Sequence, residues 1–321
     1  MSQISNGTLQ FTDLLPPADD FEAEVLSGLA QSQKVLPAKF FYDAKGAALF
    51  EQICELPEYY PTRTELAIMR AHVGDMAAFL GADCHLIEYG SGAGIKIRLL
   101  LEALRPALYM PIDISASQLR KVGAVLQQSY PWLNVHGVAA DYTKQLALPV
   151  APSQRRAVFF PGSTVGNFTL DETRRFLRSA RALVGTGGAL LIGVDTKKDK
   201  ATLDAAYDDA AGVTALFNLN ILHHINARTG AQIDIGAFEH WAFYSPERGQ
   251  IEMHLRARHA LTVDVLGRSF SMQAGETIHT EISRKYAPVE FAALGAECGW
   301  QSSHTWQDAA GMFSVHGLTA L

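Results

Sequence analysis

The middle of the chain alternates short apolar runs with helical segments, and this rhythm constrains the fold more than any other feature. Continuous apolar runs are typical of strands buried on both faces of a parallel sheet, and the helical segments would supply right-handed crossovers. The predicted strands are His85–Glu88, Ala107–Asp113, Asn134–Ala140, Arg156–Phe160 and Ala189–Asp195, and the predicted helices are Ile95–Leu104, Ala116–Gln128 and Asp171–Val184. We therefore predict an α/β fold with a doubly wound, Rossmann-like sheet.

The segments on either side of this sheet have different patterns. Before it we predict a helix over Asp20–Gln31, an extended run over Leu36–Tyr42, a helix capped by Asp43 that runs towards Leu56, and a helix from a capping box at Thr62–Glu65 to about Leu80. After it we predict an exposed charged run at Lys197–Lys200, one long helix over Ala201–Ile225, strands within Ile233–Lys285, a helix over Val289–Glu297, and an antiparallel pair from Gln301–Trp306 and Phe313–Leu318. The pattern indicates a nucleotide-binding type of sheet with an α+β insertion over 197–285.

Composition narrows the classes of protein to consider. Apolar residues make up 48% of the 321 residues and charged residues 19%, which suits a globular protein with a sizeable core. The net charge is -6 and no basic run is present, so we expect no nucleic-acid partner. The three cysteines lie far apart in apolar surroundings, as buried free thiols in a reducing compartment would. With no signal-peptide pattern and no apolar stretch of membrane-spanning length, we expect a cytoplasmic protein without a membrane partner.

A glycine-rich turn and three polar residues mark a candidate cofactor site. The run Glu88-Tyr-Gly-Ser-Gly-Ala-Gly94 leaves the first predicted strand, Asp113 ends the second, and Asp141 with Tyr142 follows the third. Alone, the turn suits a plain strand-to-helix connection or a dinucleotide site, and each Asp suits a polar strand end. Together, the carboxylates are placed to accept hydrogen bonds from ribose hydroxyls and an adenine amino group, with Tyr142 covering the ring. The glycine spacing differs from the GxGxxG of dehydrogenases, so we predict a sheet that binds S-adenosyl-L-methionine.

Further motifs identify a family. They are Leu36–Asp43, Leu56–Glu65, Phe160–Asn167, Ala206–Thr214, Ile251–Arg256 and His279–Ser283. With these motifs the chain closely resembles the histidine Nα-methyltransferases of ergothioneine biosynthesis, from about residue 15 to the C-terminus. The resemblance implies three methylations of the α-nitrogen of L-histidine to give hercynine. It also implies a substrate domain formed by residues 1–61 and 197–285 and a methyltransferase domain formed by residues 62–196 and 286–321.

The resemblance also implies a role for particular residues of this sequence. The cofactor-binding residues are Gly90, Lys96, Asp113, Asp141 and Tyr142. The residues expected at the reacting amine are Tyr42, Gly162 and Asn167, and Asn167 is expected to hold the substrate carboxylate together with Tyr207. The imidazole would be recognised by Tyr59, Glu281 and Ser283, with Met253 packed beside them. We expect a monomer whose partner is the small-molecule substrate.

Read without the resemblance, several of these residues have ordinary structural explanations. Asn167 could cap a turn, and Tyr59 and Tyr207 could be packing residues. Glu281 alternates with Ile278, Thr280 and Ile282, as a solvent-facing strand residue would.

The adjacent His223 and His224 cannot converge on one ion from a helix, so we expect no metal. Two other functions remain open: N-methylation of another amino acid such as a tryptophan derivative, and S-adenosylmethionine binding without catalysis.

Overall fold

A computed structural model describes residues 7–15, 20–91, 94–142, 148 and 155–321. Its strands are β1 (Leu9–Asp13), β2 (Lys34–Val35), β3 (His85–Tyr89), β4 (Leu108–Asp113), β5 (Val135–Ala139), β6 (Arg156–Phe160), β7 (Ala189–Asp195), β8 (Phe238–Ser245), β9 (Gln250–Ala257), β10 (Leu261–Val265), β11 (Arg268–Met272), β12 (Thr277–Arg284), β13 (Trp300–Gln307) and β14 (Phe313–Ala320). Its α-helices are α1 (Phe21–Leu29), α2 (Ala44–Glu55), α3 (Pro61–Leu80), α4 (Ile95–Leu104), α5 (Ala116–Ser129), α6 (Leu170–Val184), α7 (Lys200–Tyr207), α8 (Val213–Thr229) and α9 (Pro288–Glu297).

The larger sheet has eight strands in the order β1-β5-β4-β3-β6-β7-β14-β13. The first six strands of this order are parallel, and β14 and β13 are antiparallel to their neighbours. The predicted α/β class and the five predicted parallel strands are confirmed, and β6 and β7 have the predicted bounds. One strand of this large sheet, β1, was not predicted. It lies at the edge of the sheet and pairs with β5. The carboxyl ends of β3 to β7 therefore lie along one edge, where ligands of such sheets bind.

A smaller sheet in the order β2-β12-β9-β8 lies within the predicted insertion, apart from β2. Its β12 contains a bulge, because His279 pairs with His254 and Glu281 pairs with Met253, the next residue along β9. Thr280 is thus one residue more than a regular strand needs. Its hydroxyl donates to Asn218 Oδ1 at 2.8 Å and to the Met253 carbonyl at 3.0 Å, which anchors the bulge.

Apolar side chains form separate cores for the two sheets. One cluster joins the small sheet to α1, α2 and α8, and two further clusters lie around the large sheet. The face of α6 that carries Phe176, Leu177 and Ala180 is buried, and a capping box at Thr169 and Glu172 begins this helix. Among the described residues, no helix is both long enough and apolar enough to cross a membrane.

Two predictions before the sheet were wrong. The segment Leu36–Tyr42 is not extended, since a 3₁₀ turn occupies Ala38–Phe41. Thr62 and Glu65 do not form a capping box, because α3 begins one residue earlier with Pro61 at its first position. Proline suits that position, since its missing N–H would be unpaired there in any case. The Glu65 carboxylate is then free to act elsewhere.

One prediction after the sheet was wrong, and another holds only in part. The predicted helix Ala201–Ile225 is two helices, α7 and α8, because the chain turns at Gly212 with φ 74°. The Asp209 carboxylate caps the second helix by accepting from the N–H groups of Val213 and Thr214 at 2.9 and 2.7 Å. The charged run Lys197–Lys200 is not uniformly exposed, because the Lys198 side chain is only 8% exposed and pairs with Asp195.

Candidate active site

The glycine-rich turn leaves the buried β3 at the carboxyl edge of the large sheet. Gly90 has φ 73°, which a side chain rarely tolerates, and its N–H donates to the Ile112 carbonyl at 2.9 Å. Ser91 follows with its hydroxyl oxygen buried and without a hydrogen-bond partner in the described part of the chain. A buried hydroxyl without a partner, next to a glycine whose backbone no side chain covers, suits contact with a bound ligand. Gly92 and Ala93 lie outside the described residues.

The predicted acidic and aromatic cofactor residues lie at the ends of the next two strands. Asp113 ends β4 and pairs with Ala139 of β5, and its carboxylate accepts from the Ser115 N–H at 3.0 Å. Burial raises the pKa of Asp113, and backbone N–H groups oppose that shift. Asp141 and Tyr142 follow β5, and the Tyr142 ring lies 5.3 Å from the Tyr89 ring. These residues therefore surround one end of the sheet, as a bound nucleoside would require.

Lys96 and Gly162 meet at a residue that sequence reasoning missed. Glu65 is completely buried, and its carboxylate pairs with the Lys96 ammonium. The same carboxylate accepts from the Gly162 N–H at 2.9 and 3.1 Å. Gly162 itself has φ 82° in the turn after β6. Glu65 thus ties the start of α4 to the predicted amine-binding turn, whereas the sequence indicated only a capping role for it.

Tyr207 and Ser283 are brought together by a buried lysine. The Tyr207 hydroxyl donates to Ser283 Oγ at 2.8 Å, and Lys285 Nζ donates to the same two oxygens at 2.9 and 3.0 Å. The Lys285 ammonium also pairs with Asp195 at 2.6 Å, and both side chains are completely buried. Burial lowers the pKa of Lys285, but the Asp195 charge, the nearby Tyr207 and the hydrogen bonds to both together outweigh it, so the net pKa is raised.

Asp195 is the centre of this ion-pair network. Its carboxylate accepts from the Tyr60 hydroxyl at 2.8 Å and from Lys198 Nζ at 2.7 Å, besides Lys285. The two ammonium groups hold the pKa of Asp195 below its usual value, although burial alone would raise it. The network links the end of β7 to β12 and to α3, so it fixes the small sheet against the large one. Sequence reasoning placed Asp195 at a strand end but did not foresee its partners.

Glu281 lies on the same face of the small sheet as Met253, because the bulge at Thr280 reverses the alternation. Met253 is 1% exposed, and Glu281 is half-buried. Burial raises the pKa of Glu281 to about 7, while the Lys285 charge acts in the opposite direction. The solvent-facing interpretation of Glu281 therefore does not hold, since its neighbours are the core residue Met253 and a buried ammonium.

Aromatic side chains form another part of the same region. Tyr59 is buried, and its ring lies 6.0 Å from that of Tyr207 and 6.2 Å from that of Phe50. Tyr42 is 47% exposed and contacts Phe50 at a ring distance of 5.8 Å. Burial of its hydroxyl raises the pKa of Tyr42. The nearby Glu281 and other side chains raise it further, to a smaller extent. Tyr42 thus lies between the solvent and the predicted substrate-binding residues.

Asn167 ends the 3₁₀ turn Thr164–Asn167, which packs against β12. A side chain at the preceding Gly166 would place Cβ 2.8 Å from the Arg284 carbonyl oxygen and 3.4 Å from Ser283 Oγ. Only glycine allows this approach, so the turn brings Asn167 to the strand that carries Glu281 and Ser283. The structure shows Tyr207 bonded to Ser283, and the pairing of Tyr207 with Asn167 on a carboxylate stays a prediction.

The sheet order, the glycine turn after β3 and the acidic ends of β4 and β5 define a class I S-adenosylmethionine-dependent methyltransferase. A family model described as a histidine-specific, SAM-dependent methyltransferase matches residues 21–320. The chain therefore belongs to the family of histidine-specific, S-adenosylmethionine-dependent methyltransferases.

Individual relatives agree with this assignment. The chain is 42% identical over 304 residues to a histidine N-alpha-methyltransferase of Mycolicibacterium smegmatis, covering 93% of this chain and 94% of the relative. It is 40% identical over 298 residues to a protein of the same name from Mycobacterium tuberculosis, covering 91% and 92%. A 4-dimethylallyltryptophan N-methyltransferase of Aspergillus fumigatus is 29% identical over 283 residues, covering 84% and 81%.

Proposed function

We propose that this enzyme transfers methyl groups from S-adenosylmethionine to the α-amino nitrogen of L-histidine, three times, to give hercynine for ergothioneine biosynthesis. The observation that carries the proposal is the placement of Glu281 and Ser283 on one face of β12 beside the Lys285 ammonium. The names of the mycobacterial relatives and of the ergothioneine biosynthesis proteins of two fungi support the same reaction.

Hydrogen-bond polarity explains why this face suits a neutral imidazole. Ser283 Oγ accepts from both Tyr207 and Lys285, so both of its lone pairs are used and its own proton is free to be donated. The Glu281 carboxylate, once ionised, can only accept. A neutral imidazole has one nitrogen that accepts and one N–H that donates, and it therefore matches Ser283 and Glu281 together. An indole has a single N–H and would leave the Ser283 proton without a partner.

The proposed mechanism uses the protein to orient the amine. S-adenosylmethionine supplies an electrophilic methyl group on a sulfonium. Asn167 would hold the substrate carboxylate, so that the neutral amine is directed in line with that methyl group. Positive charge develops on the nitrogen, and the Tyr42 hydroxyl oxygen and the Gly162 carbonyl would stabilise it. An α-amine with a pKa of roughly 8 is partly neutral near that pH, so a dedicated base is not required. Each of the first two transfers leaves a methylated ammonium, which would release a proton to solvent before the next transfer.

The cofactor assignments rest on the fit of the described residues to a nucleoside. Asp113 would accept from the ribose hydroxyls, Asp141 from the adenine amino group, and Tyr142 would cover the ring. Gly90 leaves room for the ligand near the turn, whereas Lys96 would act through its ion pair with Glu65.

The remaining expectations are proposals of the same kind. We propose that residues 1–61 and 197–285 form the substrate domain, although β1 joins the large sheet. The other residues would form the methyltransferase domain. We also propose that the enzyme works in the cytoplasm as a monomer, without nucleic-acid or membrane partners.

A second candidate function is N-methylation of a tryptophan derivative, and the name of the Aspergillus fumigatus relative favours it. Mass spectrometry of an amino-acid panel incubated with enzyme and S-adenosylmethionine distinguishes the two. We expect histidine to gain three methyl groups and tryptophan to react far more slowly. Methylation of tryptophan at an equal or higher rate would contradict the proposal, and no methylation of any amine would favour a protein that only binds the cofactor.

A further inference from the structure

A cluster of two histidines and one glutamate lies on the other face of the small sheet, away from Glu281. Side chains alternate along a strand, so Glu252 and His254 of β9 point away from Met253. His279 pairs directly with His254 across the two strands. One ligand-type atom from each of the three side chains lies within 4.8 Å of the other two.

The cluster is enclosed rather than exposed. Glu252 is 5% exposed and His254 is 6% exposed, and the His254 ring stacks on that of Phe243 at 5.8 Å. The His279 ring lies 4.8 Å from the His254 ring, and its Nε2 is buried without a hydrogen-bond partner among the described residues. A buried ring nitrogen without a hydrogen-bond partner is costly unless it binds something.

The groups around the cluster hold its side chains in ligating positions. Glu252 Oε1 accepts from Arg248 at 2.8 Å and from Gln250 at 3.1 Å, while Oε2 lies 3.3 Å from His254 Nε2. The other nitrogen of His254, Nδ1, lies 3.2 Å from the Thr277 hydroxyl. Metal-binding histidines are usually fixed by such a bond on the nitrogen that does not bind the ion.

We propose that Glu252, His254 and His279 bind one divalent transition-metal ion, with Zn²⁺ as the reference ion, and that this ion clamps β9 to β12 behind the substrate site. Imidazole nitrogen and carboxylate oxygen suit Zn²⁺ and its neighbours in the first transition series, and not Mg²⁺ or Ca²⁺. The ion would join β9 to the part of β12 that precedes the bulge at Thr280. The site is distinct from the His223–His224 pair, where no metal is expected.

The test is calorimetric titration of the full chain, freed of tags and stripped with a chelator, with Zn²⁺ and separately with Mg²⁺. Histidine is left out, because the substrate itself binds Zn²⁺. We expect one Zn²⁺ per chain and no saturable binding of Mg²⁺. Glu252→Gln and His279→Ala should each weaken Zn²⁺ binding by about tenfold or more. His223→Ala, which removes an exposed histidine on α8, is the matched control and should bind like the wild type.

Two further readouts keep the result clear if a variant folds poorly. Co²⁺ in place of Zn²⁺ should give visible absorption bands that Glu252→Gln, a change of nearly equal size, reduces or abolishes. Zn²⁺ should also raise the melting temperature of the wild type by several degrees, since a ligand that binds only the folded chain stabilises it. The melting temperature of Glu252→Gln should not change on addition of Zn²⁺. Absence of saturable Zn²⁺ binding, or equal binding by wild type and Glu252→Gln, would show that the cluster is only a hydrogen-bonded group.

Discussion

The Tyr207 hydroxyl donates a hydrogen bond of 2.8 Å to Ser283 Oγ, although 76 positions separate the two residues in the chain. The bond joins the end of α7 to β12, and Lys285 donates to both oxygens. Because an ammonium can only donate, both hydroxyl oxygens accept from Lys285, and each hydroxyl keeps its proton for another partner. The proposed recognition of the imidazole by Ser283 and Glu281 would therefore depend on a charge that need not contact the substrate.

Replacing Lys285 by Met should lower kcat/KM for histidine and move its pH dependence. The Lys285 charge lowers the pKa of Glu281, so without it the carboxylate ionises only at higher pH. The acidic limb of the kcat/KM profile should shift to higher pH in Lys285→Met and stay near the wild-type position in Lys285→Arg. An unshifted limb in a folded Lys285→Met enzyme would contradict the coupling.

The same change should reduce the free energy of unfolding by about 3 kcal/mol, because it leaves part of the Asp195 charge uncompensated. The double variant Asp195→Asn with Lys285→Met provides a folded control if the single variant aggregates.

Glu281→Ala should lower kcat/KM for histidine by an amount equivalent to a loss of roughly 2 to 4 kcal/mol of transition-state stabilisation, since the imidazole N–H loses a charged acceptor. Cofactor binding should be unchanged. The change also opens volume beside Met253, so activity on bulkier aromatic amino acids should hold steady or rise. The measurement is the histidine-to-tryptophan ratio of kcat/KM in both enzymes, and an unchanged ratio would remove Glu281 from substrate recognition.

Glu281→Gln should stabilise the enzyme at pH 8 and have little effect at pH 5. The pKa of Glu281 is raised in the folded state, to about 7 from an ordinary 4.5, so the folded protein retains this proton over a range where the unfolded chain has lost it. Stability due to this group therefore falls as the pH rises from 4.5 to 7, and the cost is complete above 7. Thermal unfolding of both proteins at the two pH values tests this. A larger gain at pH 5 than at pH 8 would refute it.

Asn167→Ala should raise the KM for histidine and lower kcat, because the amide is proposed to hold the carboxylate that aligns the amine. Histamine lacks the carboxylate and should be a poor substrate that the change harms much less. Rates for both substrates with both enzymes give the answer. Equal losses for histamine and histidine would mean that Asn167 only shapes the turn.

Asp113→Ala should weaken S-adenosylmethionine binding by about 1 to 3 kcal/mol through loss of a charged hydrogen-bond acceptor. Histidine binding at saturating cofactor should change little. Calorimetry of cofactor binding measures the effect, and a wild-type affinity in the variant would exclude Asp113 from the site.

The large sheet could be predicted because its strands have clear local patterns. The buried ion pair and the bulge could not, because they depend on contacts between segments that are distant in the chain. The bounds of β6 and β7 were predictable because each strand has a continuous apolar run, which starts directly after Arg156 in β6 and stops directly before Asp195 in β7. The buried pair of Asp195 and Lys285 was not, since neither residue carries a local signal of its partner. Glu281 was ambiguous for a related reason: regular alternation turns it outwards, and the bulge that reverses this depends on an Asn218 hydrogen bond from α8.

The extra residue in β12 also changes how gaps between related sequences should be interpreted. Loss of Thr280 would restore a regular strand and leave Glu281 opposite Met253 and Ser283 opposite Ile251. Loss of Ile282, only two positions further, would leave Glu281 in place but turn Ser283 outwards and bring Arg284 towards the substrate. In an alignment the two deletions look equivalent. The first conserves the residues that would read the imidazole, and the second changes the substrate that the site can accept.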